Sequence, residues 1–543
     1  MVRLCSQPFS DRERMAAEVK HYPFVHHRSR RFHVILLLMI GYFSMAVITS
    51  NIGITLSCMI NSTALALDVK DNTVPSDLND LLPTNATNQC ARVKAGKVND
   101  YGGSYEWPVK IQGFIVGATF LGGMLSTLPG GLAIDRYSIR HLLMISVLLL
   151  SAASFLVPLF AAEMGPAGVI LLRFLMGVGE GVMIPGINGM ITGWIPLHEK
   201  STAASVFTSG NQLAGILGNP IAAELCASDL QWPAVFYCSG LLGFLWCVVW
   251  HYTVNNSPSN SKWISDHELA YLEHHLPEKR LKHQKVIPWL SMASSAPLLV
   301  VFYSGIIGNM MIAMILVYIP VYFKDVLMLE VKQNGFYTAL PHTFNLISKL
   351  VWGFSMDYFK QKKLLTATQT VKLSQVLSML TLSICFFALA YGVDCSTHGL
   401  ALFLLSVIGA AFGLSISGFL TSLLSLAPNF IGVISSISQI IGFGGRVATP
   451  QIITYFKTVG TAEEWRGILL VYSAMTALSA ALFAVWGSGE VQYWNSPQPK
   501  WSELGSVPMD NKISSNLHIM GKLEFGKMED DGDFFLIDLL KYC

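Results

Sequence analysis

Twelve long apolar runs constrain this chain more than any other feature of its sequence. A membrane-spanning helix needs about 20 mostly apolar residues, because the hydrocarbon core is about 30 Å thick and a helix rises about 1.5 Å per residue. The pattern is weakest in the runs that contain Asn211 and Asn345. We predict an all-α integral membrane protein of twelve transmembrane helices, with spans at 33–60, 109–133, 141–162, 168–192, 201–225, 233–252, 298–323, 333–356, 365–391, 399–424, 431–456 and 466–487.

The composition excludes several other classes of protein. Of the 543 residues, 52% are hydrophobic and only 13% are charged, whereas soluble domains carry about 25% charged residues. The formal net charge of +2 gives no reason to expect a nucleic-acid partner. The 9 cysteines include no CxxC pair and no Cys/His cluster, which excludes a disulfide scaffold and argues against a structural metal site. No cofactor is predicted. The sequence carries no His-rich metal motif, nucleophile elbow or phosphate-cradling loop, so we do not expect an enzyme.

Basic residues are concentrated in the loops on one side of the predicted membrane. They precede the first span and follow the second, sixth and eighth, and they include Arg28, Arg136, Arg140, Lys279 and Lys362. By the positive-inside rule this side is the cytoplasm, which places both termini there.

The longest polar stretch between two spans divides six spans from six. We therefore predict a cytoplasmic N-terminal tail (1–31), an N-terminal six-helix bundle (32–252) with a non-cytoplasmic loop (62–108), a central cytoplasmic loop (253–297), a C-terminal six-helix bundle (298–489) and a cytoplasmic C-terminal tail (490–543). In the central loop, Ser265 and Glu268 have the spacing of a capping box, which predicts a short surface helix.

The non-cytoplasmic side carries two glycosylation sequons, at Asn61 and Asn85. Asn61 lies close to the membrane, and either site can equally remain unmodified. Cys90 and Cys395 lie on the same side and could pair in an oxidising compartment, so their pairing is left open.

A local pattern repeats in the second span of each half. Gly131 precedes Asp135-Arg136 with Arg140 beyond, and Gly353 precedes Asp357 with lysines beyond. The glycines would let a neighbouring helix approach closely, and the charges would clamp the cytoplasmic helix ends through bonds that break when the halves rock apart. The alternative is an ordinary basic loop, but two copies at matching positions favour a cytoplasmic gate.

Few ionisable residues lie inside the spans, and each is a candidate functional residue because its burial is costly. Arg173 and Glu180 lie seven residues apart on one helix face, while Lys349 and Arg446 belong to the second half. Glu180 is a candidate proton carrier, or else forms a structural pair with Arg173. Lys349 could instead extend to the cytoplasmic face, and Arg446 could be structural.

Three formal positive charges against one negative charge favour a bound anion between the halves. Arg446 is the better clamp for a carboxylate or phosphate, because its guanidinium is a planar fork. Each polar residue in the spans is, taken alone, more often a helix–helix contact than a ligand contact. Together they predict a polar cavity, and the candidate anion-binding residues are Arg173, Arg446, Lys349, Thr49, Asn51, Tyr303, Asn309, Asn345 and Gln439.

The loop after the second span, with Gly131, Asp135-Arg136 and Arg140, resembles the signature of the major facilitator superfamily. The fourth span, from Arg173 through Gly177 and Glu180 to Pro185, resembles the anion:cation symporter family, which includes sodium/phosphate cotransporters, sialin and the vesicular glutamate transporters. The resemblance covers about residues 32–495. It implies two pseudo-symmetric bundles, and it implies that Glu180 is needed for coupled transport.

The sequence departs from this family at charged positions. Where glutamate- and sialic-acid-type relatives carry an arginine in the first span, this chain has Thr49. The stretch that matches a seventh-span arginine reads Ile307-Gly308-Asn309, and Val116 stands where a second-span histidine is expected. These differences argue against glutamate as the substrate, and the first-span difference also argues against sialic acid. Another organic anion, or phosphate, remains open.

The sequence thus favours a secondary active transporter that moves an organic anion or phosphate by alternating access, coupled to H⁺ or Na⁺. The alternative is a membrane sensor or scaffold that kept the fold and lost transport. The predicted partners are a small anion, the coupling cation and the lipid bilayer. An acidic and dileucine-like pattern near Leu539-Leu540 resembles an adaptor-binding sorting signal, so the plasma membrane and a lysosomal or vesicular membrane are both candidate locations.

Overall fold

The computed structural model describes residues 24, 26, 28–65, 99–196, 199–276 and 287–495, without the side chains of Asp135, Ser201, Asp357 and Gln361. We number the membrane-spanning helices α1 to α12. Their bounds are α1 Arg30–Met59, α2 Val109–Arg136, α3 Ile139–Glu163, α4 Gly165–Trp194, α5 Lys200–Leu213 continued by Asn219–Ala227, α6 Gln231–Thr253, α7 Ala296–Asp325, α8 Val331–Gln361, α9 Ala367–Gly392, α10 His398–Leu426, α11 Ile431–Phe456 and α12 Ala462–Trp486.

Ten of these helices are long and apolar enough to cross a membrane. The other two are α5 and α8, which contain Asn211 and Asn345, the residues at which the sequence pattern is weakest. Both are nevertheless long enough to span. Their polar residues include Asn345, which bonds Gln212 on α5 and the Gly409 carbonyl on α10 instead of facing lipid. The predicted architecture of twelve helices in two six-helix bundles is confirmed.

Several spans depart from regular α-helix near their middle. A turn at Asn51 interrupts α1, and the segments Ala214–Gly218, Met314–Tyr318 and Ile416–Leu420 form single π-helical turns in α5, α7 and α10. Such π-turns widen a helix locally and are frequent at functional sites. The irregular segments of α5 and α7 flank the central cavities described below.

The two bundles are joined tightly at the end where α1 stops and α2 begins, here called the long-loop end. Lys324, at the end of α7, is buried and donates to the Ser57 carbonyl and the Ser62 hydroxyl, each at 2.8 Å. Because Lys324 belongs to the C-terminal bundle and both serines to the N-terminal one, these bonds close this end of the molecule.

Residues 99–101, just before α2, reinforce the same closure. The Tyr101 hydroxyl donates to the Leu329 carbonyl at 2.7 Å, and the Asn99 amide donates to it at 3.0 Å. The ring of Tyr101 also lies 4.9 Å from the Lys324 ammonium, which is within the range of a cation–π contact. A short piece of the loop between α1 and α2 is therefore fastened across the C-terminal bundle.

The opposite end, where α1 begins and α12 stops, is here called the tail end. A Cβ added at Gly131 or Gly353 would meet no described atom within 4 Å. The close helix approach expected at these glycines is therefore absent from this conformation. Arg136 is exposed, and the side chains of Asp135 and Asp357 lie outside the described part of the structure. Arg140 donates to the Asn255 side chain at 3.4 Å, which joins α3 to the segment after α6.

The predicted helix of the central loop is confirmed and runs from Asp266 to His275. The Ser265 hydroxyl accepts from the Glu268 amide at 3.2 Å, as in a capping box. The Glu268 carboxylate, however, accepts from the amides of Arg30 at 2.8 Å and Arg31 at 3.0 Å. It thereby caps the N-terminus of α1, where a negative charge is favoured by the helix dipole.

Candidate transport site

A buried ion pair connects the two bundles. Arg446 on α11 donates through Nη1 to Glu180 Oε1 on α4 at 2.8 Å. Only 7% of the Glu180 side chain and 16% of the Arg446 side chain are exposed. The structure thus pairs Glu180 with a residue of the other bundle.

Neighbouring glycines position both partners. A Cβ at Gly445 would lie 2.7 Å from the Ile306 carbonyl, so only glycine lets α11 approach α7 this closely. That approach brings Asn309 to Arg446, whose Nε donates to Asn309 Oδ1 at 2.9 Å. On α4, a Cβ at Gly177 would lie 1.9 Å from the Thr119 carbonyl, which fixes α4 against α2 one turn before Glu180.

The ion pair lines a cavity between the bundles. Its polar lining residues include Tyr42, Thr49, Glu180, Asn211 and Arg446, and Ile312 and Leu316 form part of its apolar wall. Within the described structure, Glu180 Oε2 is buried and accepts no hydrogen bond. A proton or a ligand donor can therefore be accommodated at this oxygen without displacing a protein contact.

Arg173 is buried on α4, seven residues before Glu180, and has other partners. Its guanidinium donates to the Thr49 carbonyl at 2.8 Å and lies 3.5 Å from the Ile48 carbonyl. Both carbonyls immediately precede the turn at Asn51. Arg173 is not among the described lining residues of the central cavity, so its observed contacts hold the interrupted part of α1.

Lys349 and Asn345 on α8 face α5 of the other bundle. The Lys349 ammonium donates to the Thr208 hydroxyl at 2.6 Å. The Asn345 carbonyl oxygen accepts from the Gln212 amide at 3.1 Å, and the Asn345 amide donates to the Gly409 carbonyl at 3.1 Å. Both residues therefore belong to the interface between the bundles.

The remaining predicted polar residues are dispersed. Asn51 donates to Ser239 on α6 at 3.2 Å, and the Tyr303 hydroxyl donates to the Met475 carbonyl at 3.4 Å. Gln439 is half-buried on α11. Of the candidate anion-binding residues, the central cavity brings together Thr49 and Arg446, with Asn309 bonded to Arg446.

Among the predicted modification sites, Asn61 is half-buried and its side chain accepts from the Ala64 amide at 2.9 Å. Cys395 is disulfide-bonded. Asn85, Cys90 and the pattern at Leu539-Leu540 lie outside the described residues, so glycosylation, the Cys90–Cys395 pairing and adaptor binding stay predictions.

The sequence interpretation missed three groups. Lys324 was read as lying just beyond its span, yet it is buried and joins the bundles. Asp325 accepts from Lys457 at 2.6 Å and from the Trp465 indole at 3.0 Å. These partners are more than 130 residues away in the chain, so helix periodicity could not predict the contacts. His342 was not proposed as a site residue, although the adjacent Pro341 and the weak apolarity of α8 mark a helix that faces protein.

Two six-helix bundles around a polar, ion-paired cavity, joined at the long-loop end, are typical of a secondary transporter. The sequence pattern of the Major Facilitator Superfamily matches residues 35–450. The chain belongs to this superfamily and is a multi-pass membrane transporter.

Individual relatives agree with this assignment. An uncharacterized transporter of Caenorhabditis elegans, slc-17.3, is 37% identical over 88% of this chain and 91% of its own length. Human sialin is 26% identical over 86% of this chain and 91% of its own length. The crystal structure of a D-xylose–proton symporter matches 85% of this chain and 99% of its own, with a TM-score of 0.60 at 16% identity. The resemblance to the anion:cation symporter family is confirmed.

Proposed function

We propose that this protein is a proton-coupled symporter of a small organic anion, in which Arg446 binds the anion and Glu180 carries the proton. The observation that supports this proposal is the 2.8 Å ion pair between Arg446 and Glu180 across the two bundles. In the empty carrier, Glu180 serves as the internal anion of Arg446.

Coupling follows from the charge balance of the pair. A proton on Glu180 removes its negative charge and frees the Arg446 guanidinium for a carboxylate from solution. The cavity then has the same net charge when it is empty and when it holds one proton and one monovalent anion. A proton alone, or an anion alone, would leave a buried charge without a partner, at a cost of about 3–5 kcal/mol. Half-loaded carriers are therefore suppressed by a factor of about 100 or more.

The same pair also connects loading to movement, because its members belong to different bundles. While Glu180 is ionised, it holds α4 against α11. Once a proton and an anion are bound, the direct link between the bundles is replaced by a ligand. Closing the tail end and opening the long-loop end would complete alternating access.

The other predicted site residues have supporting roles in this proposal. Thr49 and Asn309 lie beside the bound anion, and Arg173 keeps the interrupted part of α1 in place beneath it. Lys349 and Asn345 join α8 to α5, so they would respond to movement between the bundles. Asp135, Arg136 and Asp357 would form the cytoplasmic gate when the tail end closes.

The coupling ion, location and orientation belong to the proposal as well. Protonation acts directly on the observed ion pair, whereas Na⁺ remains the other candidate coupling ion. By the positive-inside rule, the basic loops support a cytoplasmic tail end. Similarity to sialin and the acidic, dileucine-like C-terminal pattern support a lysosomal or vesicular membrane, with the plasma membrane as the other location.

Uptake by proteoliposomes tests this function. Radiolabelled lactate, gluconate, glutamate and phosphate would be offered with an imposed pH gradient, with an imposed Na⁺ gradient, and with neither. We expect accumulation of an organic anion that follows the pH gradient. Arg446→Gln should abolish uptake, and the control Arg466→Gln, at an exposed arginine of α12, should not. Accumulation driven by Na⁺ alone, or normal uptake by Arg446→Gln, would contradict the proposal.

A further inference from the structure

A second cavity lies beside the ion-paired one and contains polar atoms that the fold does not use. Its polar lining residues are Asn211, Gln212, His342 and Asn345. His342 is only 5% exposed. Within the described structure, His342 Nε2 and Gln212 Oε1 are both buried and have no hydrogen-bond partner.

Unused buried polar atoms are costly, and two of them in one cavity indicate a ligand that satisfies both. Gln212 Oε1 can only accept a hydrogen bond, while an imidazole nitrogen can donate or accept. A hydroxyl group can donate to Gln212 and at the same time accept from His342. A primary amide can do the same with its N–H and C=O groups.

The rest of the lining determines the charge that this cavity tolerates. Apart from the His342 ring, its described lining residues are uncharged, and Lys349, one turn from Asn345, is bonded to Thr208. A second carboxylate placed here would be buried without a cationic partner, which is strongly unfavourable. The occupant is therefore a neutral hydrogen-bonding group.

The two cavities are neighbours that share part of their walls. Asn211, Ile312 and Leu316 line both of them. A ligand that passes from Arg446 to His342 therefore runs along the side chains of Ile312 and Leu316. Its connecting part is best matched by an apolar carbon segment rather than by a second polar group.

Close packing against α5 fixes the position of His342. A Cβ at Gly215 would lie 2.3 Å from the His342 ring, so the imidazole rests against the π-helical turn of α5 in the other bundle. A ligand bonded to both His342 and Gln212 would contact α8 and α5 together. The polar end of the ligand would therefore bind residues of both bundles.

We propose that His342 and Gln212 form a second subsite that binds an uncharged hydroxyl or amide group of the transported anion. This inference rests on the proposed function, in which Arg446 binds the carboxylate. It narrows the substrate to an organic monocarboxylate that carries a neutral hydrogen-bonding group beyond a short apolar segment.

Binding of matched acids to the purified full-length protein tests this subsite. Butyrate, pentanoate and hexanoate would each be compared with their terminally hydroxylated counterparts by thermal-shift titration. For the chain length that spans the cavities, we expect the hydroxylated acid to bind about tenfold more tightly, because it satisfies two buried groups. His342→Phe and Gln212→Met should each reduce this ratio to about one, with affinity for the plain acid kept within about twofold. The control His398→Phe, at a histidine that bonds the Leu327 carbonyl outside the cavity, should keep the ratio.

Several results would overturn the subsite. Equal binding of both acids at every length contradicts it, and so does an equal loss of both acids in the His342 and Gln212 variants. Arg446→Gln separates the two proposals. If it leaves the plain acid bound normally, the proposed function fails, whereas the subsite is judged by the ratio between the acids. If none of the acids binds, the proposed function and the subsite fail together.

Discussion

Replacing Lys324 by methionine should open the long-loop end of the transporter. Lys324 donates two 2.8 Å hydrogen bonds to Ser57 and Ser62 of the other bundle. A hydrogen bond from a charged group contributes about 1.5–3 kcal/mol after exchange with water. Methionine has a similar length but makes neither bond, although it recovers some apolar burial. We expect a net loss of about 3 kcal/mol, which corresponds to a factor of about 150 in the opening equilibrium.

Lys332→Met provides a matched control at the same end. Lys332 on α8 pairs with Glu224 on α5 at 2.7 Å, so it also joins the two bundles. Its side chain is 59% exposed and that of Glu224 is 47% exposed. Exposed pairs contribute only about 0.2–1 kcal/mol, so opening should rise by less than about fivefold.

The opening can be measured by cysteine labelling. Gln112 lines the cavity behind Lys324, and Gln112→Cys would be introduced into a background whose exposed native cysteines are serine. A membrane-impermeant thiol reagent, added on the long-loop side of oriented proteoliposomes, should label it about 150 times faster in Lys324→Met. Equal acceleration of labelling by Lys324→Met and Lys332→Met, with both proteins folded, would refute the role of Lys324 in closing the long-loop end.

Two further predictions concern stability and gating. Glu268→Ala should lower the free energy of unfolding by about 1–3 kcal/mol, because two α1 amides lose their acceptor. The control Glu273→Ala, on the exposed side of the same helix, should have little effect. Thermal unfolding measures both variants. Gly131→Leu and Gly353→Leu should leave the melting temperature unchanged but slow transport, because they obstruct closure of the tail end. The control Gly409→Ala should lower the melting temperature, because its Cβ would lie 2.0 Å from the Pro341 carbonyl. Melting of the Gly131 and Gly353 variants below the wild type, or their uptake at the normal rate, would contradict the gate.

The spans could be predicted from the sequence because the cost of burying polar groups in lipid acts on every residue of a helix. The two least apolar runs became α5 and α8, whose polar residues contact other helices. Asn211 and Asn345 therefore weaken the sequence signal while belonging to the interface of the bundles. Hydropathy measures how apolar a segment is. It therefore cannot distinguish a segment that does not span the membrane from a span that lines a polar cavity.

The pairing of charges could not be predicted in the same way. Glu180 and Arg446 are 266 residues apart, and helix periodicity relates only residues on one helix. It therefore suggested Arg173 as the neighbour of Glu180, although Arg173 donates to a backbone carbonyl near the turn of α1 instead. Glu268 shows the same limit, since its spacing from Ser265 gave the helix start but not the carboxylate's contact with α1.

The ratio of protons to anions is the most direct test of the central claim. Uptake of the anion that the wild type accumulates fastest would be measured together with internal pH in the same proteoliposomes. The exchange of Glu180 for a bound anion at Arg446 predicts about one proton per monovalent anion and no net current. In Glu180→Gln, pH-driven accumulation should be lost while anion exchange persists, and the exposed control Glu163→Gln should behave like the wild type. Uptake without proton movement, or an unchanged proton ratio in Glu180→Gln, would contradict the account.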